Sequence, residues 1–417
     1  MLAGAALAGP VFDPAQDDPA KPWSYFGQTT TMIGVPFMPD AIQVTYDGAL
    51  FTRQAELCFF IGEPARPFFD RQKQWLDGWI PVVQARDQQD GIRYELELFT
   101  VVPADDDVTN TVQLARMRMT NSGTAPARAS LLAAARGSGG EYRLGGVSLP
   151  PTTRFEMTDD ALWRDGKLVY AFPPGGRREA VPGEPYVAPF AAHEYQVSAR
   201  AEAGCVRYGR ELQPGERWEL VFRMPRVPTA DPAKLAQLGL SLRTNAAGGA
   251  TLLSPKPGGK SAAAPSEWSS EQSVRDDPPV WEAERARAVD YWTGLVGRHT
   301  RLTLPEKRLE YAHRAATAHV LLGTRTFASG RTQTDGLPYP MLFIICLWDY
   351  QMLYDSMGLG AFYEVNLPHL RARQLEDGML LDTSLTHGKR IMSSHGPTLF
   401  SVTHHVVMTR DRGFASN

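Results

Sequence analysis

The apolar residues of this 417-residue chain change period partway along, from two to about 3.6. One layer of secondary structure cannot serve both periods, so the chain must join a sheet-built part to a helix-built part. Ile92-Arg-Tyr-Glu-Leu-Glu-Leu-Phe99 alternates polar with apolar residues, as a half-buried strand requires. Leu114-Ala-Arg-Met-Arg-Met119 continues the pattern into the turn Thr120-Asn-Ser-Gly-Thr124. Ala127-Arg-Ala-Ser-Leu-Leu-Ala-Ala-Ala135 reads as the next strand, and Pro214-Gly-Glu-Arg-Trp-Glu-Leu-Val-Phe-Arg-Met-Pro225 as a turn leading into another. Many short strands with turns between them predict an antiparallel sandwich, larger than an immunoglobulin domain.

The second texture begins near residue 280. Val280-Trp-Glu-Ala-Glu-Arg-Ala-Arg-Ala-Val-Asp-Tyr-Trp292 places Trp281, Ala288 and Trp292 near one helical face. The segment 305–322 carries proline at its first position, an acid in its first turn and Gly323 just past its end, which predicts a helix. Helices are expected from there to residue 417. Between the two textures, residues 245–279 are rich in Ala, Gly and Pro and read as a flexible insertion or linker. The expected division is a β-sandwich domain over 1–244, the linker over 245–279 and a helical domain over 280–417.

Composition narrows the functional classes. A net charge of −3 with 21% charged residues gives no basic surface for a nucleic acid. No window reaches the uninterrupted apolar length of a membrane-spanning helix. The opening Met1-Leu-Ala-Gly-Ala-Ala-Leu-Ala-Gly-Pro10 is apolar but lacks a basic start, so it supports a cleaved signal only weakly and leaves cytoplasm and periplasm open. Cys58, Cys205 and Cys346 are odd in number and far apart, and Cys58 and Cys346 sit in apolar runs that suit buried thiols. Seven of the nine histidines lie between His313 and His405, yet their spacings match no metal-ligand motif, and no metal or cofactor is expected. Serine-nucleophile elbows, phosphate loops and dinucleotide fingerprints are absent.

The candidate chemistry lies in Leu337-Pro-Tyr-Pro-Met-Leu-Phe-Ile-Ile-Cys-Leu-Trp-Asp-Tyr350. An apolar run here ends on an indole beside a carboxylate. An indole covers the C–H face of a pyranose, and a carboxylate accepts hydrogen bonds from neighbouring hydroxyls. The same residues also suit a helix start, with Asp349 serving the first-turn amides and Trp348 half buried. Ser394-His-Gly-Pro397 reads as a turn before a helix, holding His395 either as a ligand-facing group or as a cap. His404 and His405 follow on that helix and are expected to divide into one packed and one solvated residue.

Four stretches give the chain a resemblance to the bacterial six-hairpin glycosidases, the (α/α)6 class that includes glucoamylase-like enzymes. Val289-Asp-Tyr-Trp292 resembles the linker helix ending in an aromatic. Tyr339-Pro-Met-Leu-Phe-Ile-Ile-Cys-Leu-Trp-Asp349 is similar to the first-hairpin segment that reaches the sugar. Leu370-Arg-Ala-Arg-Gln-Leu-Glu-Asp-Gly378 is similar to the turn of the same hairpin, and the stretch from His395 to Asp411 to the next one. The resemblance implies a multidomain β + α protein, with an N-terminal antiparallel β-supersandwich followed by the first hairpins of an (α/α)6 barrel.

It further implies a carbohydrate partner and inverting hydrolysis by two carboxylates, one acid and one base. A sugar phosphorylase of the same architecture and a non-catalytic carbohydrate-binding or structural protein are the rival readings. The site residues it implies are Asp349 on vicinal hydroxyls, Trp348 on the ring, Tyr339 and His395 at the rim, and Asp335 within reach. Glu376, Asp377 and Asp382 are acids available in loops, Asp377 in a turn before Gly378. Lys389 and Arg390 suit an acidic sugar or phosphate, or a solvated loop.

Two departures stand out. The arginine usual before the aspartate is replaced by Trp348, and Pro368 falls where the family has uninterrupted helix, so a short helix starting there is expected. Only 137 residues follow Val280, too few for twelve helices, so the chain is expected to be an N-terminal fragment lacking the catalytic carboxylates.

Overall fold

The computed structural model describes residues 31–39, 42–44, 48–52, 54–68, 73–103, 107–135, 155–179, 186–187, 198–199, 205–238, 241–244, 250–253, 278–298, 302–327, 330–333, 344–372, 374–380 and 392–416. Two eight-stranded antiparallel sheets dominate the first half. One runs Thr31–Ile33, Ile42–Val44, Leu50–Phe51, Glu56–Ile61, Ala127–Ala135, Cys205–Leu212, Arg177–Glu179, with Arg66–Pro67 also paired to Glu56–Ile61. The other runs Phe155–Met157, Ala161–Arg164, Lys167–Ala171, Arg217–Pro225, Val112–Asn121, Ile92–Thr100, Ile80–Gln89, Gln74–Leu76.

The period of two decides which face each residue takes. Tyr94, Leu96 and Leu98 point into the sandwich, where Leu96 stands opposite Met117 and Met117 opposite Leu220. The two sheets meet there: Phe59 of one packs edge-on against Phe222 of the other, with ring centres 5.3 Å apart. The Tyr94 hydroxyl also accepts the Ser130 N–H across the interface, at 3.2 Å. Cys58 and Cys205 are buried in the first sheet, neither in a disulfide.

Eight helices are described: α1 Pro232–Gln237, α2 Pro278–Gly297, α3 Lys307–Leu322, α4 Ile344–Ser356, α5 Gly360–Glu364, α6 Leu367–Arg371, α7 Met392–Thr409 and α8 Arg412–Ser416. α2 lies on the outer face of the second sheet. That face carries Glu97 opposite Arg116, and Arg118 between Glu95 and Glu219. Trp281 of α2 packs edge-on against Phe99 at 4.8 Å, and Arg116 lies 4.6 Å from the centre of the same indole. Arg285 donates to Glu97 at 2.8 Å, and Arg116 donates to Glu282 at 2.8 Å. The expected apolar stripe is present, since Trp281, Ala288 and Trp292 are all buried.

α3 forms where the capping residues call for it. The Glu306 carboxylate accepts the Arg308 amide, and the Gly323 N–H closes the last turn. The Tyr354 hydroxyl donates to the Val320 carbonyl, and Thr317 meets the Met357 sulfur at 3.6 Å. Rising along α4 therefore means descending along α3, so the two are antiparallel. α6 begins at Leu367 with Pro368 in its first turn, after a break at Val365 and Asn366. No described helix is long and apolar enough to cross a membrane.

Two short hairpins depart from the expected organisation. Ser241–Thr244 pairs with Ala250–Leu253, so a strand lies within the stretch read as linker. Thr324–Phe327 pairs with Gly330–Gln333 inside the part expected to be wholly helical. The second hairpin follows the α3 cap directly, and the Thr324 carbonyl accepts the Phe37 N–H at 3.2 Å, tying it to the sandwich. One buried cluster runs from the sandwich through Trp281 and Trp292 to Leu321, Tyr354 and Tyr363.

Candidate functional site

The apolar run before Asp349 is itself helical. α4 starts at Ile344, which puts Asp349 at its sixth position, exposed and beyond the first-turn amides. The alternative role as a helix-start cap is thereby excluded, because the unpaired amides of a helix lie in its first turn. Trp348 precedes Asp349 in α4, but its side chain lies outside the described residues. So do Tyr339 and Asp335, as well as Asp382, Lys389 and Arg390.

His395 is placed differently from the expectation. It stands in the opening turns of α7, since the helix begins at Met392 and includes Gly396 and Pro397. Pro397 stands at the sixth position, inside the helix and past its unpaired first-turn amides, so it removes one intrahelical hydrogen bond. His395 is half-buried, and its Nδ1 accepts the Leu380 N–H at 3.3 Å. An accepting Nδ1 in a neutral ring puts the hydrogen on Nε2, leaving that atom as a donor. The segment it holds is the turn with Asp377, whose carboxylate accepts the Met379 N–H at 3.1 Å while Gly378 takes φ +82°. Asp377 is thus a turn residue, and Glu376 is exposed beside it.

What joins these two helices is a set of residues of which sequence reasoning singled out only His404 and His405, and not the carboxylate they share. The Asp355 side chain at the end of α4 is fully buried. It accepts His405 Nδ1 at 2.6 Å, His404 Nδ1 at 3.0 Å and Gln351 Nε2 at 3.2 Å. A carboxylate only accepts, so both imidazoles donate from Nδ1. His405 Nε2 has no hydrogen-bond partner among the described residues; Glu364 Oε1 stands 3.6 Å away. The His405 ring lies between Tyr363 and Phe414, with centres 5.0 and 4.5 Å distant. Ser401 donates to the Thr398 carbonyl, so its oxygen accepts the Tyr363 hydroxyl at 3.0 Å. Burial pushes the Tyr363 phenol well above its ordinary pKa and keeps it a donor.

Gly360 lets α5 approach this cluster. A Cβ there would sit 3.1 Å from His405 Cε1 and 3.5 Å from Asp355 Oδ1. Asp355, with both ring partners buried or half-buried, is a positioning group: it fixes α4 against α7, and with them the elements bearing Asp349 and His395. The sequence does hold a signal for it. A packed histidine in an apolar helix needs a polar partner, and Asp355 is the carboxylate at the far end of the helix that carries Asp349. Among the described residues, no group of three or more His, Cys, Asp or Glu is arranged to hold a metal.

No protein-family model matches the chain, and no curated protein matches it. Solved structures do. A kojibiose phosphorylase candidate from the human microbiome aligns over 90% of this chain and 48% of its own, at 8% identity and a TM-score of 0.44. A bacterial glucoamylase complexed with acarbose aligns over 94% and 57%, at 10% identity and a TM-score of 0.44. A polysaccharide lyase aligns over 51% and 34%, at 11% identity and a TM-score of 0.24. The chain spans about half the length of the first two structures.

Proposed function

We propose that this chain carries one wall of a carbohydrate site in a six-hairpin enzyme that cleaves a glycosidic bond. The observation that carries the reading is Asp349, a carboxylate exposed at the sixth position of α4, next to Trp348 and on a helix clamped to the one bearing His395. In this reading Asp349 accepts hydrogen bonds from vicinal hydroxyls, Trp348 stacks on the ring, the His395 Nε2–H donates at the rim, and Tyr339 and Asp335 complete the wall. Bond cleavage belongs to the whole protein. One carboxylic acid protonates the leaving oxygen and a second carboxylate activates water.

The test is calorimetric titration of the chain with a panel of gluco-oligosaccharides. Asp349→Asn should weaken binding by about 1.5–3 kcal/mol, the scale of a hydrogen bond to a charged group. Unchanged affinity would remove Asp349 from the site. Turnover by the whole protein that requires phosphate would replace hydrolysis with phosphorolysis.

A further inference from the structure

A second concavity lies at the other end of the α3–α4 hairpin. Tyr354 is level with Val320, and Met357 with Thr317, so Asp349 lies toward the C-terminal end of α3 while Met357 lies toward its middle. Beyond Met357, a cavity of about 430 Å³ opens between the last turns of α2, the first half of α3 and the sandwich residue Trp79. This volume falls within the range of small-molecule sites, roughly 300–1,000 Å³.

Its floor is apolar and buried: Trp79, Val296 and Met357. Its rim is charged. Arg298 and Arg314 stand against one acid, Glu310, which leaves a net charge of +1 before His313 is counted. Glu310 is already committed, to Lys307 at 2.6 Å and Arg314 at 3.3 Å. Among the described residues Arg298 makes no ion pair, and it is exposed at the cavity mouth. Gly294 and Gly297 line the same cavity, and a Cβ on either would meet nothing within 4 Å. Two glycines one turn apart at the end of a helix cost stability, yet here they keep the wall open.

We propose that this cavity binds a small ligand with an apolar body and an anionic head, the body on Trp79, Val296 and Met357 and the head at Arg298. It is separate from the Asp349 wall.

The experiment titrates the chain with biphenyl-4-carboxylate and, separately, with the uncharged biphenyl-4-carboxamide. One-to-one binding of the carboxylate is expected. Gly294→Leu, which places a side chain in the opening without a backbone clash, should weaken it at least about tenfold, a change of about 1.4 kcal/mol. Gly297→Leu should do the same, so one badly folded variant does not decide the outcome. Arg298→Glu should weaken the carboxylate about tenfold and leave the amide nearly unchanged. No saturable binding, or full affinity in both glycine variants, overturns the site. Equal response of acid and amide to Arg298→Glu overturns the anionic class.

Discussion

Asp355 and His405 meet at 2.6 Å, and neither side chain is exposed to solvent at all. Their helices are separated by residues 357–391, so this contact, with His404 on the second carboxylate oxygen, decides how α4 and α7 sit. Replacing one partner of such a buried pair strands the other. Asp355→Asn presents an amide N–H toward imidazole N–H groups and should lower unfolding stability by about 3 kcal/mol. Asp349→Asn, six residues earlier and exposed, should stay within about 0.5 kcal/mol of the parent. Urea midpoints of the two variants make the comparison; equal midpoints would deny the clamp.

Glycines give a second contrast. Gly360→Ala forces a methyl group to within 3.1 Å of His405 Cε1 and 3.3 Å of Thr409 Cγ2, with α7 on the far side. Overpacking of this kind should cost about 1–3 kcal/mol. Gly294→Ala in α2 meets open space and removes the entropy penalty of a helical glycine, so it should stabilise by about 0.5–1 kcal/mol. Thermal melts of both variants should move in opposite directions. A shared direction would mean that the close approach at Gly360 is not what limits that site.

His319 predicts an acid response. Its ring stacks on Trp75 at 4.1 Å, and burial holds its pKa below the ordinary imidazole value. The unfolded chain therefore binds this proton first, near pH 6.5, while the folded protein resists it. Stability contributed here is intact above about pH 6.5 and declines as pH falls toward the depressed folded value. His319→Gln should flatten the dependence of the urea midpoint between about pH 7 and 5. An identical slope in parent and variant would assign the acid response to other groups.

How far the sequence could be read depended on how far apart the deciding residues are. The strand at 92–99 is legible because its alternation is local and one face meets a core. α3 is legible at its end because Gly323 marks it, whereas its start lies two residues after the expected Pro305, at Lys307, where the Glu306 carboxylate caps the chain. The hairpins at 241–253 and 324–333 are not, since four-residue strands are too short to display a period. The start of α4 is hidden within a uniformly apolar run that has no capping side chain to mark it. The start of α7 is hidden because Ser394-His-Gly-Pro397 has the composition of a turn. Reading His404 and His405 as one packed and one solvated residue captures the burial of His405. It misses their shared carboxylate, which lies 49 and 50 residues away on another helix.

The charged outer face of the second sheet has a consequence for how the chain is made. Glu97, Arg116 and Arg118 are laid down on neighbouring strands before any of α2 is synthesised. Beyond an apolar patch at Phe99, Leu114 and Val221, this face suits water almost as well as it later suits Trp281 and Arg285. A nascent sandwich therefore keeps the greasy part of this face to one small patch ringed by paired charges while it waits on the ribosome. When the helix arrives, salt bridges already paired across the strands gain new partners, and the face is closed.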